Sequence, residues 1–225
     1  MAAICHTPIQ GTAMRVTRLD ACGSVVTGSC STVVADGFIS VEMTDDVEDE
    51  DLFQLRSTPL GCGVKRKPPL LNWIDVKIKF CVMDPDLLGL VSGSPVLTNA
   101  GGSSVGFATE ETDFGTADFA LEVWTNVAGS TACLGGTQRY GYLLLPWVGA
   151  GVIEDLSVAN EPLEFTVKAA TVSGNRWGTG RYNVVTNGAG VASQLSSAIP
   201  IDRHRHWQLT EVAPPAATCG CTALS

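Results

Sequence analysis

The chain has 225 residues and a mass of 23.6 kDa, long enough to bury roughly 70% of its unfolded surface without disulfide or metal staples. Charged residues make up 16% and hydrophobic ones 45%, which excludes disorder. A formal net charge of −9 excludes tight binding to nucleic-acid phosphates or to an anionic membrane.

The longest apolar stretch, residues 142–153, is broken by Pro146, Gly149 and Gly151, so no membrane span is expected. The opening residues lack the apolar core of a secretory signal. The chain is therefore expected in a reducing cytosol, with its eight cysteines (positions 5, 22, 30, 62, 81, 133, 219 and 221) as thiols rather than bridges. Cys30, Cys81 and Cys133 lie in Val-, Ile- or Gly-rich segments, where a thiol acts as a small apolar filler. A mean hydropathy of +0.20 without a membrane span calls for another account. The 14 basic and 23 acidic residues are sparse on a monomer surface of roughly 9,800 Å². The reading adopted is that much of this surface is covered by other copies.

Strand patterns dominate. In chain order they fall at 13–19, 24–34, 37–43, 73–83, 118–127, 140–147, 162–172, 182–186 and 207–212. The clearest is 73–83, where Ile74, Val76, Ile78, Phe80 and Val82 alternate with Asp75, Lys77, Lys79 and Cys81; such a period-two pattern marks a half-buried antiparallel strand. In 118–127, Phe119, Leu121 and Val123 oppose Ala120, Glu122 and Trp124; in 162–172, Leu163, Phe165, Val167 and Ala169 oppose Glu164, Thr166 and Lys168. One short helix follows the clearest strand. Asp84 caps it, Pro85 suits its first turn, Asp86 suits its positive end, and Leu87, Leu88, Leu90 and Val91 give it an apolar face before Gly93. It is expected to lie across the sheet as a lid. Gly, Pro, Ser and Asn clusters separate the strands, so the fold class is all-β and mainly antiparallel, a β-sandwich or partial barrel with one flanking α-helix. One domain is expected over 1–212, with 213–225 (APPAATCGCTALS) as an extended tail.

Several motifs carry possible chemistry. Residues 44–51 read TDDVEDED, so Asp45, Asp46, Glu48, Asp49, Glu50 and Asp51 form a self-repelling block expected as a solvated loop. It lacks the glycine and spaced oxygens of a calcium loop. The basic run Lys65, Arg66 and Lys67 follows, a charge complement for the acidic block of a neighbouring copy. Residues 102–106 fit G-x-S-x-G around Ser104, with Asp118 and then His204 or His206 in hydrolase order. A nucleophile elbow needs a strand before it and a helix after it, and a Gly-rich loop and a strand pattern stand there instead. His204, His206, Cys219 and Cys221 offer soft ligands, but C-x-C lacks zinc-ribbon spacing. Residues 175–182 have glycines without a phosphate-loop context; Gly178 and Gly180 are read as turn glycines, with Trp177 and Tyr182 packing over the end of the sandwich. No catalytic, cofactor or metal residues are assigned.

Residues 14–23 (MRVTRLDACG), 37–44 (GFISVEMT), 83–87 (MDPDL), 163–166 (LEFT) and 177–184 (WGTGRYNV) together resemble segments of the major tail tube proteins of long-tailed bacteriophages, especially those infecting actinobacteria. The resemblance runs through most of the chain in order, in short pieces. It implies a structural virion protein, a β-sandwich with one helix, made in the host cytoplasm and assembled with itself into hexameric rings stacked as a hollow tail. Four strands per subunit would line an inner barrel through which double-stranded DNA passes. Its other partners would be the tape measure and the tail terminator and tip proteins, with no membrane and no active site. On that layout Asp45, Asp46, Glu48, Asp49, Glu50 and Asp51, with Lys65, Arg66 and Lys67, lie on a loop that touches the next ring. The alternatives are a β-sandwich module binding a carbohydrate or host receptor, and a serine hydrolase built on Ser104.

Overall fold

The structure, a computed structural model, describes residues 8–48, 52–55, 63–66, 68–81, 83–110, 117–128, 138–156 and 164–224. Its centre is a nine-stranded antiparallel sheet. The strands in chain order are β1 (Pro8–Leu19), β2 (Gly28–Ala35), β3 (Phe38–Val47), β4 (Leu52–Leu55), β5 (Gly63–Arg66) and β6 (Leu71–Phe80), and then helix α1 (Pro85–Ser92). There follow β7 (Val96–Thr98), β8 (Ser104–Phe107), β9 (Asp118–Val127), β10 (Tyr140–Leu156), β11 (Phe165–Thr171), β12 (Val185–Thr186), β13 (Ala192–Ser193), β14 (His206–Thr210) and β15 (Thr222–Leu224). The sheet runs β15-β2-β1-β9-β10-β11-β6-β3, and β14 pairs with β10 beside that path. β4 with β5, β7 with β8, and β12 with β13 form separate two-stranded ribbons. The all-β, mainly antiparallel class read from the sequence is what the chain adopts, with α1 as its one α-helix among the described residues.

Strand β10 organises the sheet. Over Tyr140–Leu144 it pairs with β14, and from Val148 to Leu156 it pairs with β11, while β9 runs along it from Tyr140 to Val148. The β9 ladder skips between Leu145 and Val148. Pro146 falls in that gap, where its missing N–H costs no ladder bond.

Alternation sends side chains of the sheet to two separate cores. The first holds Met14, Val16, Val33, Val76, Ile78, Phe80, Phe119, Leu121, Leu143, Leu145, Phe165 and Val167, with Leu87, Leu88, Leu90 and Val91 from α1. Phe38, Val41 and Met43 of β3 pack against the same cluster, so the two ends of the sheet curl toward each other. Gly11 of β1 meets the Phe38 ring, and a Cβ at Gly11 would stand 2.6 Å from it. The curl makes a partial barrel with a filled interior. The second core lies on the opposite face of β1, β9 and the first half of β10. Here Ala120, Trp124, Tyr142 and Leu144 are covered by Trp177, Val184, Leu195 and Ile199 from the long segment after β11. Trp177 and Tyr182 thus pack over a sheet face rather than the end of the sandwich. Gly178 (φ 62°) and Gly180 (φ 78°) take the left-handed backbone expected of turn glycines.

Helix α1 forms as its sequence dictates. The Asp84 carboxylate accepts the N–H groups of Asp86 and Leu87 at 3.0 and 3.4 Å, and Gly93 ends the helix at φ 76°. Its apolar residues close the barrel interior, as a lid would.

The structure corrects the sequence reading at three further points. Cys30 and Cys221 form a disulfide across 191 residues of sequence, where free thiols were expected. Cys81 is exposed rather than an apolar filler, as are Cys22 and Cys219; Cys5, Cys62 and Cys133 lie outside the described residues. The acidic block does not start as a loop, because Asp45 and Asp46 belong to β3 and pair with Ile74 and Trp73 of β6. Alternating strand side chains keep those two carboxylates apart, which relieves their repulsion without a loop.

Gly151 sits where β10 passes under α1, and a Cβ there would stand 1.8 Å from the carbonyl oxygen of Val91. Backbone cannot yield as a side chain can. Gly151→Ala is expected to cost at least about 1–3 kcal/mol, read as a lower denaturation midpoint with an unchanged slope.

Candidate functional site

The sheet divides into two unlike halves. Over residues 13–17 of β1, 119–124 of β9 and 141–146 of β10, both faces are buried. In β3, β6, β11 and the last part of β10, one face packs on the barrel interior and the other meets solvent. Register places Ser40, Glu42, Thr44 and Asp46 of β3 beside Lys79, Lys77, Asp75 and Trp73 of β6 on that open face. Thr166, Lys168 and Ala170 of β11 continue it, and Lys168 faces Val152 of β10. Glu154 joins Lys77 at 3.2 Å and Lys168 at 3.9 Å, and Glu164 joins Lys79. The open face thus presents the carboxylates of Glu42, Asp46, Asp75, Glu154 and Glu164 against three lysines, with no contiguous cationic stripe. At its far end Val47, Leu70, Leu71 and Trp73 are exposed, an apolar patch where β3 and β6 run toward β4 and β5.

Sequence reasoning missed the buried polar centre on the other half. Arg15 of β1 and Glu122 of β9 face each other in register. Arg15 Nε and Nη2 donate to Glu122 Oε2 and Oε1 at 2.6 and 2.7 Å, and the Tyr142 hydroxyl donates to Oε1 at 2.6 Å. The guanidinium also stacks 3.3 Å from the Tyr182 ring centroid and 5.0 Å from that of Trp124. Tyr182 Oη lies 2.9 Å from Thr17 Oγ1. Glu122 is fully buried and Arg15 nearly so. Burial works against the charge on Arg15, but Glu122 beside it outweighs that and raises its pKa. Burial, and then the Glu122 carboxylate, push the Tyr142 phenol well above its ordinary value. Arg15 and Glu122 are paired with each other, and the contacts of Arg15 and Thr17 with Tyr182 clamp the covering segment onto the sheet. The signal in the sequence was a charge flanked by apolar residues in each of two strands, Arg15 between Met14 and Val16 and Glu122 between Leu121 and Val123.

The sequence-derived candidates are dispersed. Ser104 opens β8 and donates to Asp86 Oδ1 at 2.6 Å, whereas Asp118 accepts from Trp147 Nε1 at 2.8 Å. His204 Nδ1 lies 2.8 Å from Thr171 Oγ1, and His206 Nε2 3.0 Å from Gln208 Oε1. No hydrogen bond among the described residues joins Ser104 to either histidine. His204 and Cys221 are not brought together either: Cys221 stands with Cys30 and Asp86, and its sulfur is spent on Cys30. Asp45 pairs with Arg205 at 3.4 Å, and Asp46 accepts from Asn72 at 2.9 Å. Lys65 and Arg66 fall on β5, paired along the backbone with Phe53 and Leu52. Asp49, Glu50, Asp51 and Lys67 lie outside the described residues.

Removing one partner of a buried pair strands a charge. Arg15→Met is expected to cost about 3–5 kcal/mol in denaturant unfolding. A phenol with a raised folded pKa contributes stability that is complete below the ordinary tyrosine value of 10.0 and is lost as pH rises past it. Tyr142→Phe should flatten the alkaline fall in stability above that value, measured by unfolding at a series of pH values.

No protein-family model matches the chain, and neither does any curated protein.

Proposed function

We propose that this chain is the structural subunit of a hollow tube of stacked homo-oligomeric rings, akin to the tail tubes of long-tailed phages whose subunits its segments resemble. The observation that carries this reading is the solvent-facing half-sheet. Its four strands pack on one face only, and its last strand, β3, has no hydrogen-bonded partner on its outer side among the described residues. A row of unpaired N–H and C=O groups accepts another strand, and a neighbouring copy supplies one. Joining copies head to tail closes a ring when the rotation between them closes. The open faces then line a channel.

The charge on that face suits passage of double-stranded DNA. A polyanion held by several lysines binds in proportion to the counterions it releases. Here the three lysines face five carboxylates and are partly neutralised by Glu154 and Glu164. Phosphates then find no site at which to stop. The excursion through β4 and β5, with the acidic and basic residues around it, is assigned to contact between rings.

Imaging of the protein at high concentration, with the initiating tail-tip complex if necessary, should show tubes with a regular repeat. Particles that stay monomeric under both conditions would overturn the assignment. Replacing residues 45–51 with Ser and Gly should shorten or abolish tubes while leaving the subunit folded, since the exposed Asp45–Arg205 pair contributes at most about 1 kcal/mol. The triple variant Glu42→Lys, Glu154→Lys, Glu164→Lys should give tubes that retain DNA at low salt and release it as salt rises, whereas unaltered tubes retain none.

A further inference from the structure

At the opposite end of the sheet, residues 218–224 lie as a strap along the edge of β2. β15 pairs with β2 through Thr222 with Thr32 and Leu224 with Gly28. Just before it, Thr218 N donates to the Val34 carbonyl at 2.8 Å, and Val34 N donates to Thr218 Oγ1 at 3.2 Å. Two carboxylates at the start of α1 grip the same segment: Gly220 N donates to Asp84 Oδ2 at 2.9 Å and Cys221 N to Asp86 Oδ2 at 3.0 Å. Gly220 has φ 83°, a backbone that favours glycine, and a Cβ there would stand 2.9 Å from Asp86 Oδ2 and push that carboxylate aside. The Cys30–Cys221 bond completes it. Cys30 itself sits at φ 54°, a left-handed backbone that costs a non-glycine residue free energy and persists because its surroundings hold it.

Between this strap and the body of the sheet the chain is loosely held. Among the described residues, 213–217 (APPAA) make no hydrogen bond, and Pro214 and Pro215 favour an extended spacer. Beneath the strap lies a cavity of about 780 Å³, bounded by Asp84, Asp86, Met83, Ser104, Thr218 and Cys221. Lifting the strap would break these bonds and uncover Cys221 where it packs on the first core, and re-forming them on a neighbour restores both.

We propose that residues 218–224 are exchanged between copies, so that the strap of one copy lies on β2 of the next and the Cys30–Cys221 bond becomes a covalent link between them. The occupant of the β2 edge is fixed by the chain itself. Every group that receives the strap (the β2 edge, Asp84, Asp86 and Cys30) is present on each copy, and so is the matching strand. Swapping an identical element preserves all of these interactions and adds connectivity, at the cost of reorienting a hinge. The inference rests on the reading of the chain as a self-assembling subunit, and it names how neighbouring copies are joined.

The exchange is redox-neutral. A small thiol of the glutathione class attacks Cys221 Sγ, giving a mixed disulfide on Cys221; its proton passes to Cys30, which leaves as a thiol. After the strap moves, the neighbour's Cys30, as thiolate, attacks the mixed disulfide at Cys221 and expels the small thiol. One S–S bond breaks and one forms per copy, and the small thiol is regenerated.

Two measurements test this. Cys30→Ser and Cys221→Ser copies, each unable to close its own bond, are mixed with glutathione and its disulfide and run without reductant. A disulfide-linked dimer should appear in the mixture and not with either variant alone, and peptide mass mapping should locate it at Cys30 and Cys221. A mixture that stays monomeric would overturn the exchange. If either variant fails to fold, unaltered protein labelled with light and with heavy nitrogen is mixed under the same thiol conditions during assembly. Linked Cys30–Cys221 peptides should then be hybrid as often as homogeneous. Homogeneous pairs alone overturn the proposal. Tubes whose bonds all stay within one copy would end the exchange and leave the assembly reading intact. Linked copies that form no tube would do the reverse, and monomers without hybrid pairs would end both.

Discussion

A strand inside a sheet spends its hydrogen-bonding groups on two neighbours, whereas the first and last strands have one row left over. This constraint governs the molecule. The nine-stranded sheet curls far enough for Gly11 to meet Phe38 but does not close on itself. Two ends remain, and they are treated differently. At one, the short strand β15 lies along β2, held there by the Cys30–Cys221 bond and two carboxylates. The other, β3, carries exposed Ile39 and Val47. The two rims are therefore unlike: one is a strand of three residues tied down by a disulfide, the other the ten-residue β3.

The buried ion pair serves that asymmetry from within. Arg15 and Glu122 anchor the segment carrying Trp177 and Tyr182 over β1, β9 and the first half of β10. With that half covered, solvent reaches the sheet on the other half. A buried pair of this kind adds little net stability compared with a well-packed apolar pair. Its pairing also bears on register: a slip of one residue in either strand would turn that strand's charge toward the apolar interior and leave the other unpaired.

The strands with one solvated face were legible from residue pattern. In β6, Ile74, Val76, Ile78 and Phe80 are buried as their alternation requires, and helix α1 starts and stops where Asp84, Pro85 and Gly93 place it. Strand β9 was located, but its second face was not read, because Glu122 between Leu121 and Val123 looks like a solvent-facing charge until its partner is known. Arg15 lies 107 residues away from it along the chain, and local pattern carries no information about so distant a contact. The disulfide was hidden for the same reason: 191 residues separate Cys30 from Cys221, and cysteine spacing does not define connectivity. The acidic block misled because charge repulsion argues for a loop, yet β3 continues through Asp45 and Asp46.

The length of β10 has a mechanical consequence. Its 17 residues belong to both halves of the sheet, with β9 on one side and β14 followed by β11 on the other. Tension applied along this strand loads those ladders in shear, so many bonds must yield together, whereas force applied across the outermost strands would peel them one bond at a time. The molecule is therefore stiff along the β10 axis and compliant at its rims, and any elastic bending of an array built from it would be concentrated at the seams between copies.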